Sequence, residues 1–408
     1  MEPPAHLLYY RDPNVRTFEA KVAAVETDGV VLDRTAFFPG GGGQEADAGT
    51  IDGKRVLRAE ERAGRIVHVL EKAAEAQHFA VGRAVRAELD WARRTDLMRG
   101  HSGEHLLVGR LLEVEPKLEL VKVNITHGKK SIFLRGPLTW DVVREAVRRA
   151  NQRIAEGHEV TPRLVSEEEA KRLGSLRIKW ERLSGIDAVR VVSMNGFDHS
   201  ACSGVHVGNL ADLQMVVATK MTSAGQGVVE LEFAVGPQAL EVSREWAMVT
   251  AETAQTLGAP AENVLPTVRN LLAGAKLLEE RVKGLGRRVA AALPVVEHQG
   301  TRITMGVLDG VDTKDLLDEA AKRLAEPNFV VVLVNKAGNG LLFVGFSESF
   351  AKERKLDARE ILRDALAPFG GKGGGKPNAA QGGFPNPAEG EKVLERAWTL
   401  TAARLGIS

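Results

Sequence analysis

Two short stretches constrain this chain more than anything else in it. Residues 101–105 read HSGEH and residues 202–206 read CSGVH. Each sets two nitrogen or sulfur donors four positions apart, and the second uses the only cysteine in the sequence. The run TDLMRGHSGEHLLVGRLLEV is apolar at 97, 98, 106, 107, 108, 111 and 112, which predicts a helix, with Thr95 or Asp96 as its cap. On one helix face His101 and His105 have Cβ atoms about 5–6 Å apart, so both imidazoles reach a single ion. A lone H-x-x-x-H also arises on solvated helix faces. A second matched pair, Cys202 and His206, completes a borderline-soft donor set suited to one tetrahedral Zn2+ per chain. The competing arrangement is His101 in solvent and Cys202 in the core. His199 is a spare, at the surface, behind a ligand or against the substrate. A single cysteine forms no internal disulfide, and such scarcity fits a reducing compartment, which we take as the cytoplasm.

HSGEH also matches H-x-x-E-H, the inverted zincin pattern, in which the glutamate is the general base of peptide hydrolysis. A Cys-x-x-x-His pair is an unexpected companion there, because such proteases recruit a glutamate as third ligand. Glu104, three positions from His101, falls on roughly the same side of the helix. It therefore reads as base, as support for a ligand, or as one half of a surface ion pair.

The 408 residues are too many for one typical core. Residues 16–90 alternate in period two between glycine turns, with Asp28-Gly29 as a hairpin signal. This is the pattern of a small β-barrel domain over 1–90. Residues 91–236 mix helices and strands. The run 140–156 is an amphipathic helix with Thr139 as N-cap and Gly157 beyond its end, and Ser166 caps a shorter one. AVRVVSM is a strand, and NGFDHSACSGVHVGN reads as a loop. Residues 237–292 are helical, an αα-hairpin or coiled-coil stalk broken at GAPAEN. Residues 293–408 alternate strand and helix, an α/β domain opening on a βαβ crossover and carrying a glycine-rich loop, GGKGGGKPNAAQGG. The fold class is thus α+β overall. No apolar run is long enough to span a membrane, and the N-terminus lacks a secretory signal pattern. Basic and acidic residues balance at 55 and 54, so any nucleic-acid contact has to be local.

Taken in order, TAFFPGGGGQ at 35–44, HSGEHLL at 101–107, CSGVHV at 202–207 and the glycine-rich stretch at 370–383 resemble the editing and C-terminal DHHA1-type domains of alanyl-tRNA synthetases. They resemble equally their free-standing relatives, the long-form AlaX editing proteins. The family reads T-x-F-Y-P-x-G-G-G-Q, H-[ST]-x-x-H and C-G-G-T-H-V. Here Ser203, Val205, Glu104, Phe38 and Gly40 depart from it, which leaves details of substrate contact open but not the ligands. The resemblance implies a zinc-containing editing core over 91–236, a DHHA1-type tRNA-binding domain over 293–408, and no aminoacylation domain.

It further implies a hydrolase, an aminoacyl-tRNA deacylase, that cleaves the ester of serine or glycine wrongly joined to tRNA(Ala). A synthetic pocket rejects an added hydroxyl or a missing methyl poorly, whereas a second site that hydrogen-bonds the hydroxyl discriminates well. Thr35 is the candidate partner for that hydroxyl. Gly41, Gly42 and Gly43 permit close approach of backbone N–H groups to the substrate, and Gln44 reads as a donor to it. Asp198 is a candidate for the substrate site or for orienting a histidine. Lys372 and Lys376 are candidate tRNA contacts. The same stretch nearly spells a phosphate loop, but Pro377 stands where Ser or Thr would hold magnesium, so nucleotide hydrolysis is excluded. The helical segment suggests a homodimer. A third reading is a non-catalytic tRNA-binding protein with structural zinc.

Overall fold

The computed structural model describes residues 3–173, 176–178, 188–195 and 197–407, which form two compact units, 1–252 and 253–408. The first unit begins with a single helical turn, α1 (Leu8–Arg11), and a closed barrel. Its strands are β1 (Thr17–Val25), β2 (Gly29–Leu32), β3 (Gly49–Ile51), β4 (Lys54–Arg62), β5 (Arg65–Leu70) and β6 (Ala84–Leu89). They close in the order β1-β2-β5-β4-β3-β6. Strand β1 shows why: Phe18, Ala20 and Val22 turn inward while Thr17, Glu19 and Lys21 face out. The β1–β2 hairpin forms at Asp28-Gly29 as expected, though the glycine serves close approach. A Cβ there would lie 2.2 Å from the carbonyl oxygen of His68.

Helix α2 (Trp91–Val114) follows without a break. Its cap is Asp90, whose side chain accepts from Arg93 N–H at 3.0 Å, so the helix starts a turn before the Thr95 or Asp96 cap expected. Thr95 instead bonds back to the Trp91 carbonyl, and Asp96 pairs with the fully buried Lys130 at 2.8 Å. Arg94, also fully buried, pairs with Asp47 and donates to the Pro13 carbonyl at 2.8 Å. A buried charge without such partners would be costly, so this network fixes α2 against the barrel.

Around α2 stand two four-stranded sheets. One has the order β13-β14-β8-β7, with β7 (Glu119–Ile125), β8 (Lys130–Arg135), β13 (Val216–Gly225) and β14 (Val228–Val235). The other, β10-β12-β11-β9, comprises β9 (Val160–Val165), β10 (Leu176–Arg177), β11 (Val189–Met194) and β12 (Asp198–Ala201). Helix α3 (Trp140–Glu156) takes its expected cap from Thr139 and ends on a left-handed Gly157, and Ser166 caps α4 (Glu167–Arg172). Strand β12 corrects the loop expected over 195–209. Its buried positions are Asp198 and Ser200, so the period of two is present but written in polar residues, which hydrophobic patterning misses. Helix α5 (Pro237–Leu257) closes the unit and runs past its boundary.

The second unit opens on α6 (Val264–Ala291). Its mixed sheet has the order β15-β16-β17-β18-β20-β19, from β15 (Val296–His298), β16 (Thr301–Leu308), β17 (Phe329–Asn335), β18 (Gly340–Phe346), β19 (Lys372–Lys376) and β20 (Ala379–Phe384). Helix α7 (Thr313–Leu324) makes the expected crossover between the parallel β16 and β17. The remaining helices, α8 (Glu348–Glu353), α9 (Ala358–Leu366) and α10 (Gly390–Leu405), follow in order. The glycine-rich stretch is a hairpin, not a loop. Lys372 pairs with Gly383 and Lys376 with Ala379, and a Cβ on Gly373 would meet Gln381 O at 2.3 Å. Glycines permit that pairing although they give no strand signal. On α6 the residues Val264, Val268, Leu271, Ala275, Leu278, Val282, Leu285 and Val289 recur at alternating intervals of four and three. Leu271, Leu278, Val282 and Leu285 are more than half exposed.

Candidate metal centre

Helix α2 is buried from Gly100 through Val108 on every face. Polar groups in such a setting need partners. His101 and His105 lie one turn apart with ring centroids 4.9 Å apart. The chain returns to them where β12 ends. Cys202 N–H still donates to the Arg190 carbonyl in strand fashion at 3.0 Å, and then residues 203–206 turn in. The His206 ring lies 4.5 Å from His101 and 4.7 Å from His105. Gly204 makes the turn possible, because a Cβ there would lie 2.2 Å from the His101 ring.

Hydrogen bonds fix which nitrogens face inward. His101 Nδ1–H donates to Gln44 Oε1 at 2.6 Å, and His206 Nδ1–H donates to Ser102 Oγ at 3.1 Å. Both Nε2 atoms then carry lone pairs, and each lies 3.4 Å from Cys202 Sγ. An ion bonded to sulfur at about 2.3 Å and nitrogen at about 2.0–2.1 Å in a tetrahedron has an S···N edge of roughly 3.5 Å. The four donor atoms lie within 4.8 Å of one another. Burial holds the His101 imidazole down to about 3, and His105 and His206 well below their ordinary value. All three are therefore neutral, as ligands must be. Burial pushes the Cys202 thiol up to about 11, against the pull of Gly204 N–H and Arg190. A cation supplies what that thiol lacks to ionise. The residues fit a zinc ion.

The surrounding shell is a second sequence-distant assembly. Arg190 Nη1 donates to the carbonyls of Cys202 and Gly204 at 2.8 and 2.9 Å, clamping the 202–206 turn. Arg177 donates to the His105 carbonyl at 3.0 Å and pairs with Asp198 at 2.8 Å. Glycine at 109 leaves room for both, since a Cβ would approach Arg177 Nη1 to 2.9 Å. Asp198 thus acts on His105 through Arg177 and the main chain. Glu104 is nearly enclosed, with Oε2 3.6 Å from His105 Nε2, and burial raises its carboxyl to about 7. Among the described residues His105 Nδ1 and Gln44 Nε2 are buried with no partner.

The glycine run lies beside this turn. Gly40, Gly41, Gly42 and Gly43 have φ of +81, +136, +61 and +90°, a path closed to most side chains. A Cβ on Gly42 would lie 4.0 Å from Ser203 Oγ. The run delivers Gln44, which is buried and holds both the His101 ring and, at 3.1 Å, the Val205 N–H. Thr35 has other partners. Its hydroxyl donates to His68 Nε2 at 2.8 Å and accepts from Phe37 N–H at 3.0 Å inside the barrel, and it makes no hydrogen bond to the cluster. Lys372 and Lys376 are exposed on β19 of the second unit. Sequence reasoning missed Ser102, Arg177, Arg190 and His68. Ser102 alone carried a signal, its place inside HSGEH; the others are single polar residues without a pattern.

Comparison with known proteins places residues 10–93 in the family described as tRNA synthetases class II (A) and residues 300–403 in the DHHA1 domain. The cluster lies between the two. The alanine–tRNA ligase of Thermococcus kodakarensis is 31% identical over 412 residues, covering 96% of this chain and 43% of its own length. Those of Pyrococcus furiosus and Ignicoccus hospitalis are 29% and 27% identical, covering 97% and 93% of this chain and 43% and 41% of their own. The chain spans less than half the length of these relatives. Among solved structures, the C-Ala domain from Aquifex aeolicus alanyl-tRNA synthetase is 22% identical with a TM-score of 0.24, over 26% of this chain and 97% of that domain. That likeness is too loose to bear on the fold.

Proposed function

Since the chain resembles alanyl-tRNA synthetases over most of its length, consistent with an AlaX-like alanyl-tRNA editing protein, we propose that it is a trans-editing hydrolase of mischarged tRNA(Ala), with serine as the preferred wrong amino acid and glycine as the second. The observation that carries this reading is the buried, pre-oriented donor set of His101, His105, Cys202 and His206 with a carboxyl near neutrality at its edge. A zinc ion held by these four would supply polarisation of the ester carbonyl.

The chain's own groups then divide the remaining work. Glu104 takes a proton from the attacking water, whose oxygen bonds to the ester carbon, and returns it to the ribose oxygen as the ester C–O bond breaks. Gln44 and Ser102 hold the rings, and Arg190 and Arg177 hold the backbone that carries the ligands. Gly41, Gly42 and Gly43 border the turn, where backbone N–H groups can approach the substrate. Thr35 keeps one acceptor lone pair after its bonds to His68 and Phe37, which suits the hydroxyl of a seryl ester and leaves an alanyl ester without a partner. Lys372 and Lys376 on the exposed hairpin take tRNA phosphates. The exposed four-three row on α6, with valine and alanine alternating against leucine, is the two-stranded coiled-coil pattern, which supports a homodimer.

The test is hydrolysis of seryl-tRNA(Ala) beside alanyl-tRNA(Ala), with zinc determined in the same preparation. Rapid loss of the seryl ester alone is expected; no loss of seryl or glycyl ester by zinc-loaded protein would overturn the enzyme. One observation favours a second reading. Four protein donors fill a tetrahedral shell, as in structural sites, and a tRNA-binding protein with structural zinc would bind without turnover.

A further inference from the structure

Gln44 joins the two donor pairs. Its Oε1 accepts from His101 Nδ1–H on α2 at 2.6 Å and from Val205 N–H in the 202–206 turn at 3.1 Å. A side chain can span two elements in this way only if its own backbone is held. Residues 43–45 are laid against the end of β7 as a short extra strand. Ile125 N–H donates to the Gly43 carbonyl at 2.8 Å, Glu45 N–H donates to the Ile125 carbonyl at 2.9 Å, and Gln44 and Ile125 form a parallel bridge. Position 43 must be glycine for this, since a Cβ would lie 2.4 Å from Val123 Cγ2. The tip of the run is different: a Cβ on Gly41 would meet nothing within 4 Å.

The grip continues into the turn between β7 and β8. His127 N–H donates to Glu45 Oε2 at 2.9 Å. Asp96 anchors that turn on α2: its Oδ2 accepts from His127 Nδ1–H at 3.0 Å and from Gly128 N–H at 3.4 Å, while its Oδ1 takes the Lys130 ammonium at 2.8 Å. Arg93 adds a second hold, donating to the Ala46 carbonyl at 3.0 Å and pairing with Glu45 at 2.9 Å. The same helix thus carries two ligands, at 101 and 105, and, earlier in its course, the groups that fix the residue steering one of them. Lys130 is the costly part, because a buried ammonium needs its partner. Its stem fills the space beside Gly100, where a Cβ would lie 2.7 Å from Lys130 Cε. An apolar side chain would fill that space without the cost, but it could not hold Asp96 so that the second carboxylate oxygen faces the turn.

Resting on the metal-centre reading above, we infer that Asp96 and His127 are positioning residues for the metal centre, acting on it through Glu45 and Gln44. Neither touches a donor atom. Together they set where the Gln44 amide stands, and so the angle of the His101 ring and the distance at which the 202–206 turn closes on α2. Groups behind the ligands tune metal affinity in this way, typically by about 10- to 100-fold.

The test uses the full chain, with Zn2+ affinity measured by competition against a chelating dye and the absorption of the Co2+-loaded protein as a probe of ligand geometry. Asp96→Asn leaves the Lys130 ammonium buried beside a neutral group and could fail to fold, so His127 carries the test. Its side chain is half exposed, and its replacement leaves the core intact. His127→Ala removes the donor to Asp96 and should weaken Zn2+ binding about tenfold, the lower end of the range for groups behind ligands, with a change in the shape of the Co2+ bands. His127→Asn places an amide N–H where Nδ1–H stood and should restore both. A purely structural turn would lower the unfolding free energy of the metal-free chain and leave affinity and spectrum as they are. Zn2+ affinity and Co2+ absorption equal to wild type in His127→Ala would overturn the inference, as would a loss that His127→Asn does not rescue. Absence of ester hydrolysis in wild type, with His127-dependent Zn2+ affinity retained, would instead overturn the editing reading and leave the positioning role standing.

Discussion

Two groups of buried histidines lie in the first unit, and they are finished differently. His68, inside the barrel, has both nitrogens engaged by protein: Nδ1–H donates to the Val30 carbonyl at 3.0 Å, and Nε2 accepts from Thr35 at 2.8 Å. His101 and His206 have only their Nδ1 atoms engaged, and their Nε2 lone pairs converge on a thiol. A buried imidazole satisfied by its own protein is a structural element. Lone pairs that converge on one thiol make a candidate cation site. The pattern of engaged nitrogens, more than burial or residue type, separates the two.

The largest expected effect comes from breaking the convergent group. Cys202→Ala should drop zinc from about one per chain to near zero, because a three-imidazole remnant loses the thiolate and the charge it brings. Seryl-ester hydrolysis should vanish with it. His68→Gln should leave zinc content unchanged, and if it empties the site the two groups are one network and the distinction fails. Next comes Glu104→Gln, which keeps shape and metal but removes the proton acceptor. A fall in kcat of about 10²–10⁴ is expected, with zinc retained. Wild-type kcat in this variant would make Glu104 a structural neighbour of His105.

These distinctions were only half legible in the sequence. The clustering of the two donor pairs was, because a helix and a strand-end turn each translate an i, i+4 spacing into a shared direction. The barrel, the α3 cap at Thr139 and the β16-α7-β17 crossover were, because each is written in hydrophobic periodicity or cap chemistry. Strand β12 was not, since its inward residues are Asp198 and Ser200, satisfied by an arginine 21 and 23 positions away in sequence. The glycine hairpin was not, since β19 has almost no side chains to pattern. Gln44 was read as a substrate donor; its carbonyl is committed to His101 and Val205, and its Nε2 is the atom left for that role. A glutamine's partner depends on what the fold brings to it, and the 44–101 and 44–205 contacts are invisible to local spacing.

A pH titration sharpens the comparison further. Burial holds His68 down to about 4, against 6.5 in an unfolded chain. Between those values the unfolded state binds the extra proton, so stability is complete above about pH 6.5 and falls as pH drops toward 4. The loss integrates to about 3 kcal/mol. Zinc-loaded His68→Gln should show a correspondingly shallower acid limb in chemical denaturation at matched pH values. Identical limbs in the two proteins would mean that His68 is not held neutral by the barrel.

The smallest effect is the one that tells most about Thr35. Thr35→Val keeps shape and removes a hydroxyl with two buried partners, His68 Nε2 and Phe37 N–H, so the folded state should lose about 1–3 kcal/mol. If the hydroxyl serves the barrel alone, hydrolysis of the seryl ester by the still-folded variant stays at the wild-type rate and discrimination against alanyl-tRNA(Ala) is untouched. The proposal expects more: the remaining lone pair also meets the substrate hydroxyl. The seryl rate should then fall about five- to 150-fold, the kinetic equivalent of one lost hydrogen bond, while the slow alanyl rate does not change. His68→Gln supplies the control. It disturbs the same barrel bond without removing the Thr35 oxygen, so it should cost stability and leave the seryl-to-alanyl ratio in place. A ratio that moves equally in both variants would assign discrimination to the barrel's packing and not to the Thr35 hydroxyl.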